Sequence, residues 1–147
     1  MTDPRSPKIV PFEAIRARCD ALRSQGRRVV QSHGIFDLIH PGHIAHLQGA
    51  RALGDVLVVS VTADPHVHKG PGRPYFTEQL RLHSLAALEC VDLVVLVPHP
   101  GAVEAIETIR PHVFCRGKEY EDPEYDDSGG LQEEMRAVDK QWNRRLR

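Results

Sequence analysis

The chain has 147 residues, of which 41% are hydrophobic and 27% charged, and its formal net charge at pH 7 is −1. This length and composition are typical of one globular domain. The near-zero net charge argues against binding of nucleic acid or an anionic membrane through a general basic field. No apolar run approaches the roughly 20 residues of a transmembrane helix.

The N-terminal residues 1–11 carry mixed charges and three prolines, without the apolar core of a secretion signal. We therefore expect a short disordered tail and a cytoplasmic protein. The three cysteines, Cys19, Cys90 and Cys115, have no Cys-x-x-Cys spacing, which indicates reduced thiols. Of these, Cys90 and Cys115 are expected in the core.

After this tail the sequence alternates between helix-like and strand-like segments. Helices are predicted over Phe12–Gln25, Gly42–Leu53, Thr77–Cys90 and Ala102–Ile109, with Thr77 as an N-cap. Short β-branched apolar runs predict strands over Val29–Ser32, Val56–Thr62, Leu93–Val97 and Val113–Cys115. Continuous apolar runs of this kind are typical of parallel strands that are covered on both faces.

The alternation of strands and helices predicts the fold class. It implies right-handed β-α-β units and therefore an α/β fold with a doubly wound parallel sheet. Ligands of such sheets bind at the carboxyl ends of the strands, near the point where the strand order reverses. A site is therefore expected directly after the first strand.

The segment from Gly34 to His43, Gly-Ile-Phe-Asp-Leu-Ile-His-Pro-Gly-His, lies at that place. His40 and His43 are three residues apart and so lie near one another on the first helical turn. A helix N-terminus offers unpaired N–H groups and the positive end of a dipole, which favour phosphate. Gly34 can adopt backbone angles that other residues avoid. Two imidazole N–H groups aimed at this point can stabilise charge that develops on a phosphorus atom.

A His-x-x-His pair alone is more often a helix cap, a surface pair or a metal site, and nine histidines make chance pairs common. The full order of strand, glycine, Phe-Asp, His-Pro-Gly-His and helix favours the phosphate site. No metal site is predicted. Five further histidines lack the spacing of a metal-ligand set, namely His66, His68, His83, His99 and His112.

The segment resembles the Gly-x-Phe-Asp-x-x-His-x-Gly-His signature of the cytidylyltransferase-like nucleotidyltransferases. The resemblance continues to Tyr125 through several further landmarks, which are Ala50–Asp64, Lys69–Pro74, Glu78–Arg81, Val91–Val95 and Arg116–Tyr120. Similar members include the nucleotidyltransferase domain of ADP-heptose synthases and glycerol-3-phosphate cytidylyltransferase. The resemblance implies a Rossmann-like nucleotidyltransferase domain over 12–125, followed by an atypical segment over 126–147.

This resemblance implies an enzyme that moves AMP or CMP from ATP or CTP to a sugar phosphate or a similar small phosphorylated acceptor, with release of pyrophosphate. His40 and His43 would hold the triphosphate, and Lys69 would draw in the acceptor phosphate. Mg²⁺ would be carried by the triphosphate itself. The family commonly forms a homodimer, and a homodimer is expected here.

The remaining site residues also follow from the resemblance. The nucleotide-binding positions are Gly34, Ile35, Phe36, Gly42, Arg116, Gly117 and Glu119. The acceptor-binding positions are Lys69, Arg73 and Arg81. Solvated loop positions are the alternative for Lys69 and Arg73. A cation such as Arg81 in the first turns of a helix is unfavourable unless it faces a phosphate, and a surface ion pair with Glu78 is the alternative.

Three neighbouring residues have supporting roles in this interpretation. Asp37 is expected to fix its loop through backbone hydrogen bonds. Asp64, at the end of the second predicted strand, is expected to orient the loop or the ribose. His33 is a candidate for the pocket wall.

The C-terminal sequence departs from the family pattern, in which a Ser/Thr-rich motif opens a final helix and contacts the triphosphate. Here no threonine follows Thr108, and Ser128 is the only serine beyond Ser84. A truncated reading frame, an excised domain or a partner that supplies the motif would each explain this. The alternative function is a catalytically impaired nucleotide-binding module. A relationship to class I aminoacyl-tRNA synthetases, which share His-x-Gly-His, would require a larger chain and a Lys-Met-Ser-Lys-Ser loop.

Overall fold

The computed structural model describes residues 6–67 and 70–115, which form four α-helices, four strands and one short 3-10 helix. The α-helices are α1 (Phe12–Ser24), α2 (Pro41–Arg51), α3 (Glu78–Ala86) and α4 (Val103–Ile109). The strands are β1 (Val29–Gly34), β2 (Val56–Thr62), β3 (Leu93–Val97) and β4 (Val113–Cys115). The 3-10 helix spans Asp64–His66.

The four strands form one parallel sheet in the order β3-β2-β1-β4. The chain moves outward from β1 to β3, and α4 then returns it to β4 on the other side of β1. The strand order therefore reverses between β1 and β4. This arrangement confirms the predicted doubly wound α/β fold, which is Rossmann-like, and it places the loop after β1 beside the reversal point.

Helices cover both faces of the sheet. One core layer joins α2 and α3 to alternate strand residues such as Leu57 and Val59. The other joins α1 and α4 to the intervening residues, such as Val56 and Val58. Burial on both faces explains why β2 and β3 are continuous apolar runs, and each fully buried aliphatic side chain contributes roughly 1.5–3 kcal/mol.

The N-terminal segment corrects one prediction. Residues 6–11 are ordered against the edge of the sheet, although a disordered tail was predicted over 1–11. The Val10 N–H donates to the Val94 carbonyl at 2.9 Å, the Val94 N–H donates to the Lys8 carbonyl at 2.8 Å, and Val10 is only 4% exposed. Composition misses this pairing because an edge strand supplies partners that the local sequence does not show.

Several element boundaries differ from the predictions by one or two residues, as at both ends of α2, and the end of α3 differs by four. β1 continues two residues further, to Gly34, and α3 ends at Ala86 instead of Cys90. After α3 the chain turns, with the Leu88 N–H donating to the Leu85 carbonyl at 3.1 Å. Thr77 is the N-cap residue of α3, but its side chain makes no capping bond.

The cysteines are all free thiols. Cys19 is fully buried, and burial raises its pKa to about 11. Cys90 and Cys115, which were expected in the core, are half-buried and pack at its margin. In the part of the chain that the structure describes, no helix is long and apolar enough to cross a membrane.

Candidate functional site

His40 and His43 cap the N-terminus of α2 with their own rings. His40 is the N-cap residue and His43 is the third residue of the helix. The Gly42 N–H donates to His40 Nδ1 at 3.0 Å, and the His40 N–H donates to His43 Nδ1 at 3.3 Å. Each ring thereby pairs a backbone donor that the helix leaves without an internal partner. The predicted closeness of the two histidines is confirmed, with ring centroids 3.9 Å apart.

This capping fixes the tautomers of both rings. An imidazole whose Nδ1 accepts a hydrogen bond carries its proton on Nε2. Both rings therefore present Nε2–H as a donor, at the positive end of the α2 dipole. The His40 side chain is exposed and that of His43 half-buried. Such an arrangement can donate hydrogen bonds to an anion.

The loop before α2 has an unusual backbone at Phe36. Its φ is 53°, in the left-handed region that residues other than glycine rarely adopt. The Phe36 ring is buried and meets the His43 ring edge-on, with centroids 6.0 Å apart. Gly34 ends β1, and a Cβ there would lie 2.9 Å from the Phe36 ring. Gly34 is therefore needed for space, and the unusual backbone angle predicted for it occurs at Phe36 instead.

Gly42 has a spatial role as well. A Cβ at this position would lie 2.8 Å from Cε1 of His40. A larger residue would push the His40 ring away from the amide that it caps. The motif glycine therefore leaves room for the same contact that sets the His40 tautomer.

Asp37 holds a second loop against the motif, as predicted. This residue is 6% exposed, and its carboxylate accepts from the Tyr75 N–H at 2.7 Å and the Phe76 N–H at 2.8 Å. Arg73 Nε completes the set at 2.9 Å. Burial by itself would raise the pKa of Asp37, but these donors together hold that pKa below its ordinary value.

Arg73 is therefore part of this set of hydrogen bonds around Asp37, which we call the loop clamp. Its guanidinium pairs with Asp37 and also lies 4.4 Å from the centroid of the Tyr75 ring. Its predicted contact with the acceptor stays a prediction.

The predicted phosphate contact of Arg81 is wrong in this structure, and so is the alternative of a surface pair with Glu78. Arg81 is 1% exposed, and its Nη2 pairs with Asp64 Oδ1 at 2.7 Å. Its other bonds go to carbonyl oxygens of Ile35, Thr62 and Phe76. The guanidinium lies beneath the site because the cationic helix residue points into the protein and finds its counter-charge there.

Asp64 fulfils the expected role of orienting a loop. Its carboxylate accepts from the Glu78 N–H at 3.3 Å, and the Glu78 carboxylate accepts from the Asp64 N–H at 2.9 Å. This reciprocal pair closes the base of the loop between β2 and α3, and it replaces the capping bond expected from Thr77. Sequence analysis missed the pair, because 14 residues separate its members and no local pattern connects them.

A row of polar side chains lies under the site, along the carboxyl ends of β1 and β2. His33 Nδ1 is 2.8 Å from the Ser60 hydroxyl, and His33 Nε2 is 3.3 Å from the Thr62 hydroxyl. Ser60 also accepts from the Gln31 amide at 2.9 Å. His33, a candidate for the pocket wall, is thus a buried link between the two strands.

Several predicted site residues lie outside the described residues: Lys69, Arg116, Gly117, Glu119 and the atypical segment over 126–147. Within 6–67 and 70–115, no three His, Cys, Asp or Glu side chains gather closely enough to hold a metal ion.

Comparison with known proteins supports the resemblance. The family described as cytidylyltransferase-like matches residues 32–142. The bifunctional protein HldE of Syntrophotalea carbinolica is 43% identical over 115 residues, which are 77% of this chain and 24% of that protein. HldE of Methylobacillus flagellatus is 41% identical over 118 residues, with coverage of 79% and 24%. The chain thus spans about a quarter of the length of these relatives.

Solved structures agree on the fold. The lipopolysaccharide core biosynthesis protein of Thermoplasma volcanium is 31% identical, with a TM-score of 0.56 over 60% of this chain and 73% of that one. Pantoate-beta-alanine ligase of Francisella tularensis, with beta-gamma ATP and beta-alanine bound, is 15% identical and has a TM-score of 0.54. That likeness covers 74% of this chain and 56% of the ligase, and it concerns the fold alone.

Proposed function

Because this chain belongs to the cytidylyltransferase-like family, we propose that it catalyses nucleotidyl transfer from ATP or CTP to a small phosphorylated acceptor. The observation that carries this proposal is the pair of reciprocally capped histidines at the N-terminus of α2. Both rings offer Nε2–H donors where the helix dipole favours negative charge. Hydrogen-bond donors at the positive end of a helix dipole are suited to binding the anionic oxygens of a triphosphate.

The proposed reaction is a direct in-line displacement. An oxygen of the acceptor phosphate attacks the α-phosphorus of the nucleoside triphosphate, the bond from that phosphorus to the bridging oxygen breaks, and pyrophosphate leaves. His40 and His43 donate hydrogen bonds to the oxygens on which charge accumulates, and neither acts as a base. Catalysis then rests on positioning and on stabilisation of charge.

The acceptor and the nucleotide base are finer parts of the proposal. The similarity to HldE supports a sugar phosphate as the acceptor. By resemblance to the family, Lys69 and Arg73 would bind the acceptor phosphate, and Arg116, Gly117 and Glu119 would bind the nucleotide. The backbone around Ile35 and Phe36 would contact the phosphates. We also propose a homodimer in the cytoplasm, and the free thiols fit that compartment.

Mg²⁺ would arrive with the triphosphate. The described residues hold no cluster of ligands for a metal ion of their own, and Mg²⁺ usually binds through substrate phosphates and water. When bound, it would neutralise part of the triphosphate charge. Positioning of the triphosphate would still depend on the histidines and the α2 N-terminus.

A second candidate is a module that binds nucleotide but transfers it poorly. Residues 109–147 contain no threonine and one serine, Ser128, and this composition favours the second candidate, since the family's Ser/Thr-rich motif contacts the triphosphate. Nucleotide binding without release of pyrophosphate would select this function.

The first test is pyrophosphate release by the purified chain with Mg²⁺, ATP or CTP, and a panel of phosphorylated acceptors. We expect release that requires one nucleotide and one acceptor. We expect His43→Ala to lower turnover by about 100-fold or more, the effect of one lost donor to a developing charge.

His112→Ala is the matched control. His112 Nδ1 also accepts a backbone N–H, from Val29 at 3.0 Å, but it does so at the amino ends of the strands. The control should lose stability and keep its turnover. Turnover by His43→Ala close to that of the wild type would remove His43 from the mechanism. No release with any acceptor would reject transfer to this panel.

A further inference from the structure

Arg81 connects three separate segments of the chain at the edge of the proposed site. Its Nη1 donates to the Ile35 carbonyl at 2.8 Å and to the Thr62 carbonyl at 2.7 Å. Its Nε donates to the Phe76 carbonyl at 3.2 Å, and its Nη2 pairs with Asp64. The motif loop, the end of β2 and the loop before α3 therefore meet at one side chain.

This side chain lies in an unusual environment. It is the largest fully buried side chain among the described residues, and the only carboxylate paired with it in that part of the chain is Asp64. A buried charge is tolerated when its hydrogen bonds are satisfied with good geometry. The planar guanidinium has donors in a fixed fork and so holds its acceptors in fixed directions.

The bond to the Ile35 carbonyl also sets the direction of the next amide. In a trans peptide, the N–H points opposite to the carbonyl of the preceding residue. The Ile35 carbonyl faces Arg81, and the Phe36 N–H therefore points away from it. Within 6–67 and 70–115, no atom accepts a hydrogen bond from this N–H. Phe36 is also the residue with φ 53°, a conformation that persists only where the surroundings impose it.

We propose that Arg81 is a positioning residue for nucleotide binding: it fixes the Ile35–Phe36 peptide so that the Phe36 N–H donates to a phosphate of the bound triphosphate. This inference rests on the proposed function. Arg81 itself does not touch the nucleotide and acts through the peptide that it holds. The Phe36 N–H would add a third donor to the two imidazoles.

The first measurement is made on the wild-type chain, by amide NMR with and without Mg²⁺ and ATP or CTP. We expect a large downfield shift of the Phe36 amide proton when the nucleotide binds. A nucleotide that binds and leaves the Phe36 amide unshifted overturns the inference. A chain that binds neither nucleotide overturns both the inference and the proposed function.

The second measurement uses Arg81→Lys. Lysine keeps the charge beside Asp64, but its single ammonium cannot reproduce the fork that reaches the Ile35 carbonyl. We expect the dissociation constant for the nucleotide to rise by roughly tenfold or more, the effect of one lost hydrogen bond to a charged group. The Phe36 amide should then lose its response.

Arg51→Lys is the matched control. Arg51 pairs with Asp92 at 3.0 Å and donates to the Gly54 carbonyl at 2.7 Å, away from the motif. This variant should keep the nucleotide affinity of the wild type. Wild-type affinity in folded Arg81→Lys overturns the inference while leaving the proposed function intact. If Arg81→Lys does not fold, the Phe36 amide of the wild type decides alone.

Discussion

Asp37 shows how one carboxylate can organise a loop through hydrogen bonds. Its two oxygens receive three donors from the segment between Arg73 and Phe76. Removing its charge leaves these donors facing a weaker acceptor. Because hydrogen bonds to charged groups contribute more than neutral ones, the loop should detach before the core loosens.

We therefore predict that Asp37→Asn lowers the free energy of unfolding by about 2 kcal/mol and speeds hydrogen exchange of the Tyr75 and Phe76 amides. Exchange measured by mass spectrometry or NMR checks this. Asp92→Asn is a suitable control, since Asp92 accepts the Leu57 N–H at 2.8 Å and pairs with Arg51. It should leave exchange at Tyr75 and Phe76 unchanged. Equal hydrogen-exchange rates of these two amides in Asp37→Asn and in the wild type would contradict the role of Asp37 in holding the loop.

For individual residues, the sequence predicted which residues form the site more readily than it predicted which atoms they contact. The spacing of His40 and His43 placed both on one helical turn, and Asp37 was expected to bond to backbone. Arg81 was misassigned because a cation in the first turn of a helix can be stabilised in two ways, by an external phosphate or by a buried counter-charge. Sequence spacing does not show that Asp64 provides the second.

At the scale of elements, α2 carries the site at its N-terminus and is anchored by Leu47 in one core layer. Ile15 is the corresponding fully buried residue of α1, in the opposite layer. Truncating either residue should cost a similar amount of stability. Only truncation of Leu47 should disturb the helix that presents the histidines.

We predict that Leu47→Ala and Ile15→Ala each lower the free energy of unfolding by about 2–5 kcal/mol. Leu47→Ala should also weaken nucleotide binding severalfold, whereas Ile15→Ala should not. Urea titrations and nucleotide titrations under folded conditions measure the two effects. Equal nucleotide affinity in both variants would show that the position of α2 does not depend on this packing.

Element prediction succeeded where burial is uniform. β2 and β3 match their predicted bounds because parallel strands covered on both faces are unbroken apolar runs. It failed for residues 6–11, whose pairing depends on Val94, more than 80 positions away. The overlong prediction for α3 has a similar cause, since Leu88 and Cys90 keep an apolar pattern while the backbone already turns.

For the molecule as a whole, a fall in pH should lower the stability of the fold through the loop clamp around Asp37. Asp37 has a lowered pKa in the folded state, so the unfolded state binds more protons near the ordinary value of 3.8. Its stabilising contribution is complete above that value and is lost as the pH falls through the folded pKa. Asp20 also has a lowered pKa through its bond with Arg23, but it is exposed and screened.

We predict that the difference in unfolding free energy between wild type and Asp37→Asn is constant above about pH 5 and shrinks below about pH 4. Urea titrations of both chains across this range provide the measurement. A difference that persists unchanged at pH 3 would mean that the carboxylate is not the group that matters.

The contacts within the motif form a series, in which each contact depends on the next one. Gly34 leaves room for the Phe36 ring, that ring meets His43, His43 caps the His40 amide, and the His40 ring needs the space at Gly42. Changes at such interlocked positions are not additive. In evolution or in laboratory selection, an altered version of this motif would therefore arise only when several of its members are replaced together. The five residues would thus change as a group and not one at a time.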